Sequence, residues 1–305
     1  MIEIVPCESR HYSDLTKLAN SHLRLVPPSD GSITVKGLEQ IIIFYERLWV
    51  HHYPDITDAR MKTKTWVALD DGNAIGVIMA RPEVLDLEES SEESGTCGEI
   101  PLLLFSLSKP DCGVRLLEHS IEYLRSERCD SVVTSGRNPL GLGWSGVPVT
   151  WKHSMLAYKQ AGFVESDQWI ILTGRTDHMS TDPAPLPPSL TVIFTPFDER
   201  REWRLEVYHN EKFAAECDAR GVPPHLDDAW SFRDWVIVEW IGVDTDFRGQ
   251  GLGYWIMMKQ LLHHLRSGRK NVLLWTGPGN QIARSFYERL GFNNGPETRA
   301  FRRSI

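Results

Sequence analysis

One segment, from Val236 to Phe292, constrains the fold of this chain more than any other. A strand, a glycine-rich turn, a helix, a second strand and a second helix follow one another in it. The turn, Arg248–Gly253, leads directly into a helix whose apolar residues recur at helical spacing. Glycine permits positive φ and a close backbone approach, and bare amides at a helix N-terminus attract anions. The segment therefore predicts a phosphate or pyrophosphate ligand.

Three glycine-loop patterns compete for this turn. A Walker P-loop requires Gly-x4-Gly-Lys-Ser/Thr, which the chain lacks, and a dinucleotide fingerprint would require glycine where Tyr254 stands. The third pattern, Arg/Gln-x-x-Gly-x-Gly/Ala, is satisfied by Arg248, Gly251 and Gly253. The helix that follows the second strand carries an ordered set of residues and ends in Gly-Phe: Asn280, Ala283, Ser285, Phe286, Tyr287, Gly291 and Phe292.

These two motifs, in this order and at this spacing, resemble the coenzyme A site of the GNAT superfamily of N-acetyltransferases. The resemblance implies an α/β (α+β) fold in which a mixed, mostly antiparallel sheet is flanked by helices. It also implies acetyl-CoA as the acyl donor, with the strand from Trp235 to Val243 splayed from its neighbour to admit pantetheine. The implied cofactor contacts are Ile241, Val243, Arg248, Gly249, Gln250, Gly251, Leu252, Gly253, Asn280 and Ser285.

The family reaction is direct attack of an amine on the thioester in a ternary complex. Tyr287 matches the general-acid tyrosine that protonates the leaving thiolate, although a buried aromatic core residue fits this position as well. Glu239, on the strand before the turn, is expected to be the base, and Asp244 is the alternative. Asn280 also suits a helix N-cap. The predicted function is acetyl transfer to a primary amine of a small molecule, and a non-catalytic acyl-CoA binding or sensing protein is the alternative.

The chain repeats itself. A stretch beginning at Leu124 matches one beginning at Leu265, at an offset of 141 residues, and Ala157–Phe163 matches Phe286–Phe292 at an offset of 129. The first half would therefore carry a longer loop, Arg137–Thr150. The proline-rich stretch 178–189 is typical of a linker. We expect two tandem domains, a degenerate GNAT-like domain over 1–177 and a catalytic GNAT-like domain over 190–305.

Only the second half keeps the glycine turn. At the 141-residue offset, Arg248, Gly251 and Gly253 correspond to Leu107, Pro110 and Cys112. The proline lacks an amide hydrogen, and the cysteine brings a side chain to the expected phosphate position. Tyr158, the counterpart of Tyr287, is therefore expected to be structural.

The sequence also predicts the first elements of each half. In the first half these are a strand at Ile2–Val5, helices at Tyr12–Leu23 and Val35–Trp49, and a hairpin at 65–79. In the second half they are a strand at Leu190–Thr195 and a hairpin at 203–218, with shortened early helices.

Composition restricts the partners. A net charge of -8 argues against nucleic acid, and five scattered cysteines without a CxxC pair argue against a disulfide framework or a metal site. No apolar run is long enough to span a bilayer, so we expect a cytoplasmic monomer or homodimer without membrane contact. His263 and His264 are expected at the surface. Six tryptophans are candidates for the wall of an acceptor cleft: Trp144, Trp151, Trp169, Trp230, Trp235 and Trp240.

Overall fold

The computed structural model describes residues 1–26, 32–43, 63–84, 96–134, 139–140, 145–179, 183, 185–197, 202–221 and 233–305. Contacts divide the chain into two compact units. Unit 1 comprises Met1–Trp169 and Pro296–Ile305, and unit 2 comprises Ile170–Gly295. The mixed α/β architecture expected from the sequence is confirmed.

Unit 1 is built on antiparallel hairpins with helices against the sheet. Its elements are β1 (Glu3–Pro6), α1 (Tyr12–Leu23), α2 (Val35–Ile43), β2 (Lys64–Asp70), β3 (Asn73–Val84), β4 (Thr96–Phe105), α3 (Pro110–Ser126), β5 (Ser131–Val133), β6 (Val147–Pro148) and α4 (Lys152–Gln160). The predicted first hairpin is confirmed. Its turn residues Asp71 and Gly72 both have positive φ, as a two-residue type I′ turn requires.

Unit 2 repeats this plan without the early helices. Strand β7 (Val164–Arg175) enters it, and its own elements are α5 (Thr176–Met179), β8 (Leu190–Phe197), β9 (Glu202–His209), β10 (Lys212–Gly221), β11 (Trp235–Val243), α6 (Leu252–Arg266), β12 (Asn271–Thr276) and α7 (Gln281–Arg289). The last strand, β13 (Asn293–Ser304), begins in unit 2. Only four residues separate β8 from β9, whereas α1 alone has 12, so the early helices are missing here rather than shortened.

The sheets of the two units have the same strand order. In unit 1 it is β1-β2-β3-β4-β5 with the end of β13 beside β5, and in unit 2 it is β8-β9-β10-β11-β12 with the end of β7 beside β12. All pairs are antiparallel except β4–β5 and β11–β12, which are parallel. Each unit therefore takes its last strand from the other half of the sequence.

This exchange of strands makes the contact units differ from the boundaries drawn along the sequence. Ile171 and Leu172, before the predicted linker, are fully buried residues of β7 and pair with β12. Ala300 and Phe301, near the C-terminus, are fully buried in unit 1. Four residues of the predicted linker, 180–182 and 184, lie outside the described residues. The end of the second predicted helix (44–49) and six residues of the long loop, 137–138 and 141–144, which include Trp144, also lie outside them. Trp230 also lies outside them.

The structure confirms one repeat and shifts the other. Helices α4 and α7 lie 129 residues apart, and each ends in a positive-φ glycine followed by a phenylalanine whose amide donates to a tyrosine carbonyl, at 3.0 Å for both Tyr158 and Tyr287. The ends of α3 and α6, however, lie 140 residues apart rather than 141. Arg128 and Gly268 hold the same positive-φ position, and the amides that follow donate to Leu124 and His264. The expected Leu124–Leu265 match was therefore wrong by one residue.

Helix α6 supplies much of the core of unit 2. Its fully buried residues recur at helical spacing: Ile256, Met257, Met258, Gln260, Leu261 and His264. His264 was expected at the surface, which is wrong, because it lies one turn beyond Gln260 on the buried face. Burial lowers the pKa of His264 to about 3. His263 is half-buried against the rings of Phe194 and Trp203.

Candidate active site

The site is centred on β11, which separates from its neighbour β12. The two strands pair in parallel only from Trp235 to Ile237, although β11 continues to Val243. On its other edge, β11 stays paired with β10 to its end. The amide of Asp244 donates to β10. Because peptide groups alternate along an antiparallel strand, those of Ile241 and Val243 point to the open edge. The expected splay is therefore present.

The turn after β11 is fixed by its own side chains. The carboxylate of Asp244 accepts the amide of Asp246 at 3.0 Å and begins a short 3-10 helix, Thr245–Phe247. The Gln250 side-chain amide donates to the Asp246 carbonyl at 3.1 Å. Nε of Arg248 donates to the Val243 carbonyl at 2.9 Å, so this guanidinium caps the end of the strand. The Val243 carbonyl is thus already occupied, and its amide is the group that remains at the open edge.

The glycines of the turn leave a row of amides. Gly249 and Gly251 have φ of 75° and 80°, a region that other residues rarely adopt. Gly251 is the N-cap of α6 and has no side chain to satisfy the first amides, and the first intrahelical bond there is from the Trp255 amide to the Gly251 carbonyl. In the described chain, the amides of 249–253 have no acceptor. We call residues 249–253 the cradle.

The space above the cradle fits a phosphate group. A Cβ atom placed at Gly249 or Gly251 would meet nothing within 4 Å, so the backbone is accessible there. At Gly253 a Cβ atom would lie 3.4 Å from the Val243 side chain, which leaves little room for a larger residue. Outward amides, the helix dipole and open space together suit the pyrophosphate of coenzyme A.

Helix α7 carries the other predicted contacts. Asn280 is its N-cap, and the side-chain oxygen accepts the Ala283 amide at 3.1 Å, so the N-cap alternative is confirmed. Its NH₂ group has no partner in the described chain and stays available to a ligand. Ser285 is exposed on the same helix. The Leu252 side chain, by contrast, is buried, and only its amide belongs to the cradle.

Tyr287 is buried on the inner side of α7. It is 7% exposed and contacts the rings of Phe286 and Phe292. Burial raises the pKa of Tyr287 to about 12, with a smaller contribution from Cys217 of β10. Its hydroxyl has no hydrogen-bond partner within the described residues. The phenol is therefore protonated near neutral pH and has its proton available to a ligand.

Glu239 lies at an irregularity of β11. The pairs Asp218–Trp240 and Ala219–Val238 leave Glu239 as an extra residue, which defines a β-bulge. Its carboxylate accepts a hydrogen bond from Nε of Arg220 on β10, and both side chains are about seven-eighths buried. Bulges often re-aim side chains beside active sites. Sequence reasoning did not anticipate this arginine, because nothing in the sequence indicates which cross-strand residue faces a bulge.

The face of the sheet beside Glu239 is polar and aromatic. Trp240 is 57% exposed, and its indole N–H donates to Glu216 at 2.7 Å. Arg204 forms a bidentate pair with Asp218 at 2.9 and 2.7 Å. Of the tryptophans named above, Trp151 and Trp235 are buried, so the structure favours Trp240 as the ring that a ligand can reach.

The described part of unit 1 lacks an equivalent site. Strands β4 and β5 also separate after Glu99, but only Ser106–Lys109 connects β4 to α3, compared with eight residues, 244–251, in unit 2. The space is filled by rings: Phe105 contacts His153, and Trp151 donates to the His22 carbonyl. Cys112 was expected at the phosphate position, which is wrong, because its sulfur packs against Gly76 in the core.

Tyr158 is fully buried in unit 1 and stacks on Phe301 with ring centroids 5.1 Å apart. The structure thus places this tyrosine in the core of unit 1.

Comparison with known proteins agrees with this geometry. The model of the Acetyltransferase (GNAT) family matches residues 176–292. An uncharacterised N-acetyltransferase of Methanocaldococcus jannaschii is 38% identical over 65 residues, which are 21% of this chain and 29% of that protein. The shared stretch is thus less than a third of the relative's length.

Two solved structures share the fold. A tandem GNAT protein from the clavulanic acid biosynthesis pathway aligns with 100% of this chain and 98% of its own, with a TM-score of 0.69 and 13% identity. A glucosamine N-acetyltransferase region of a fungal multi-domain beta-N-acetylglucosaminidase aligns with 99% of this chain and 38% of its own, with a TM-score of 0.64 and 14% identity.

Residues 176–292 thus match the GNAT family of acetyltransferases. The fold of the chain is similar to that of a tandem GNAT protein. Members of this family transfer acyl groups and use acetyl-CoA. Among the described residues there is no group of three metal-ligating side chains, and no helix is long and apolar enough to cross a membrane.

Proposed function

We propose that the chain transfers the acetyl group of acetyl-CoA to a primary amine of a small molecule, and that unit 2 performs the reaction. The observation that carries this proposal is the cradle, a row of outward amides at the end of a strand whose edge is open. Pyrophosphate would bind the amides of Gly249 to Gly253, and pantetheine would extend along Ile241 and Val243. Acetyl-CoA supplies a thioester, whose carbonyl carbon accepts a nucleophile.

Two side chains handle the protons. Glu239 takes a proton from the ammonium group of the acceptor, directly or through water, and the nitrogen then bonds to the acetyl carbon as the C–S bond breaks. Tyr287 donates its phenolic proton to the sulfur. The nitrogen loses a second proton to water as the amide forms, so the products are the N-acetylated amine, free coenzyme A and one proton released to solvent, and the phenol is restored by the proton that Glu239 received. General acid–base catalysis of this kind contributes about 10²–10⁴-fold to the rate.

The acceptor would lie on the face that carries Trp240 and Glu216. An exposed ring beside carboxylates favours a cationic amine, since ammonium groups are attracted both to aromatic faces and to anions. The glucosamine N-acetyltransferase region among the structural relatives acts on an amine of a small molecule, as its name states. This supports a small-molecule acceptor for the present chain as well.

A non-catalytic acyl-CoA binding protein is the second candidate. The observation that favours it is the ion pair between Arg220 and Glu239, which a purely structural role would also explain. Tyr287 favours the enzyme, because binding alone does not require a buried phenol beside the cofactor.

The cradle is tested by a Gly251→Trp variant. Its side chain would occupy the phosphate position and would strain a backbone with φ of 80°. Gly268→Trp is the matched control, because Gly268 has φ of 85°, open surroundings and a place at the opposite end of α6. Isothermal titration with acetyl-CoA should detect no binding to the first variant and unchanged binding to the second. Equal binding by both variants would contradict the cradle assignment.

A further inference from the structure

Both units contain an arginine at the same position of the sheet. In each unit, the third and fourth strands of the sheet pair antiparallel: β3 with β4 in unit 1, and β10 with β11 in unit 2. The fourth strand also pairs in parallel with the fifth strand, and this parallel pairing ends at one residue of the fourth strand. That residue is Glu99 in unit 1 and Ile237 in unit 2. Opposite it on the third strand lies Arg81 in unit 1 and Arg220 in unit 2. The two arginines are therefore structural equivalents.

The glutamate that each arginine binds is at a different place. In unit 1, Glu99 stands directly opposite Arg81, and the two form a closed pair with only 2% and 8% of their side chains exposed. Unit 2 has the apolar Ile237 at that position. Its glutamate is Glu239, two residues further along the strand, in the bulge and beyond the last parallel pair.

This difference places the carboxylate of unit 2 at the open edge. The pair in unit 1 lies where β4 is still paired with β3 on one side and with β5 on the other, and it joins β3 to β4. In unit 2 the equivalent arginine, Arg220, bonds the carboxylate of Glu239. Glu239 lies beyond the last parallel pair, where β11 and β12 have separated. Both partners there are more exposed, at 13% and 12%. A guanidinium that donates to a carboxylate fixes the direction of that carboxylate.

We propose that Arg220 is a positioning residue, which holds the Glu239 carboxylate aimed at the amine of the acceptor. The inference rests on the proposed function, since it assigns a partner to the base of that reaction. Other charges on this face are already engaged. Asp218 is paired with Arg204, and Glu216 accepts the indole N–H of Trp240. Loss of Arg220 removes the guanidinium that donates to this carboxylate.

The test compares three variants of the full chain with the unmodified protein. Arg220→Met removes the charge and keeps most of the volume. Arg220→Lys restores the charge but not the planar fork. Arg175→Met is the control, because it breaks another bidentate arginine–carboxylate pair of unit 2, that with Asp177, at residues that have no role in the proposed site. Free thiol release gives kcat and KM, and isothermal titration gives acetyl-CoA binding.

A positioning role predicts a selective loss. Arg220→Met should lower kcat about 30- to 100-fold, since misplacing a catalytic group by about 1 Å costs up to about 10²-fold, while KM for acetyl-CoA stays within about twofold. Arg220→Lys should recover activity to within about fivefold of the unmodified protein. Arg175→Met should leave kcat within about threefold.

Three results would decide against the inference. Equal losses in Arg220→Met and Arg175→Met, in proportion to their loss of thermal stability, would show that Arg220 acts only in the fold. Failure of Arg220→Lys to recover more activity than Arg220→Met retains would do the same. Turnover by the unmodified protein separates these results from failure of the proposed function: without turnover on any amine, the function falls and this inference with it.

Discussion

Replacing Tyr287 with phenylalanine removes one hydroxyl group and leaves the ring in place. The ring contacts with Phe286 and Phe292 are kept, so thermal stability should change by less than about 1 kcal/mol. With a pKa of about 12, the native phenol is ionised in only about one molecule in 10⁴ at pH 8, so nearly every molecule can donate a proton. Loss of a general acid costs about 10²–10⁴-fold in kcat, or about 3 to 5 kcal/mol of transition-state stabilisation.

Free thiol release from acetyl-CoA, measured with a saturating amine, tests this prediction. The variant should lose kcat by at least about 10²-fold and keep KM for acetyl-CoA within about twofold. Tyr158→Phe supplies the control, because this equivalent tyrosine is fully buried in unit 1 and should leave kcat unchanged. An unchanged kcat in Tyr287→Phe would refute the assignment of the general acid, and equal losses in both variants would point to a structural effect.

Two further predictions concern the acceptor and acid stability. Trp240→Ala removes the exposed ring whose indole N–H donates to Glu216. The KM for a cationic amine should therefore rise about fivefold or more, while acetyl-CoA binding measured by titration stays the same. An unchanged KM for the amine would exclude this ring from the acceptor site. Burial lowers the pKa of His153 to about 4 and also lowers that of His22, whose Nε2 lies 2.7 Å from Nε2 of His153. Between pH 6.5 and about 4 the unfolded chain therefore binds protons that the folded chain does not. Thermal stability should fall as the pH is lowered through this window, and a His153→Gln variant should show a smaller fall. Equal slopes for the two proteins would contradict that origin.

Local sequence patterns were enough to predict the cradle. Arg248 to Gly253 is contiguous, and its geometry follows from glycine at positive φ followed by a helix, which are properties of neighbouring residues. The first hairpin and the equivalence of α4 and α7 were predictable for the same reason. The loss of the cradle from unit 1 was also predictable, although its physical cause differs: the turn is four residues shorter, and rings fill the cleft.

Features that depend on distant residues were not predicted. Strand β13 has a polar sequence with glycine and proline, which gives no strand signal, and its pairing with β5 depends on residues about 170 positions earlier. The bulge at Glu239 and its partner Arg220 are set by the cross-strand register, which alternation along one strand does not reveal. The surface assignment of His264 was wrong because the residue, although it comes late in the helix, lies on the buried face of α6.

The assay that tests the central claim most directly measures free thiol release from acetyl-CoA by the full chain, with a panel of primary amines, alongside titration of acetyl-CoA alone. The account predicts acetyl-CoA binding that the Gly251→Trp variant loses, and turnover on at least one class of cationic small-molecule amine. Binding without turnover on any of the amines would contradict the proposed acetyl transfer and favour a sensing protein. Absence of binding would contradict the assignment of coenzyme A to the cradle.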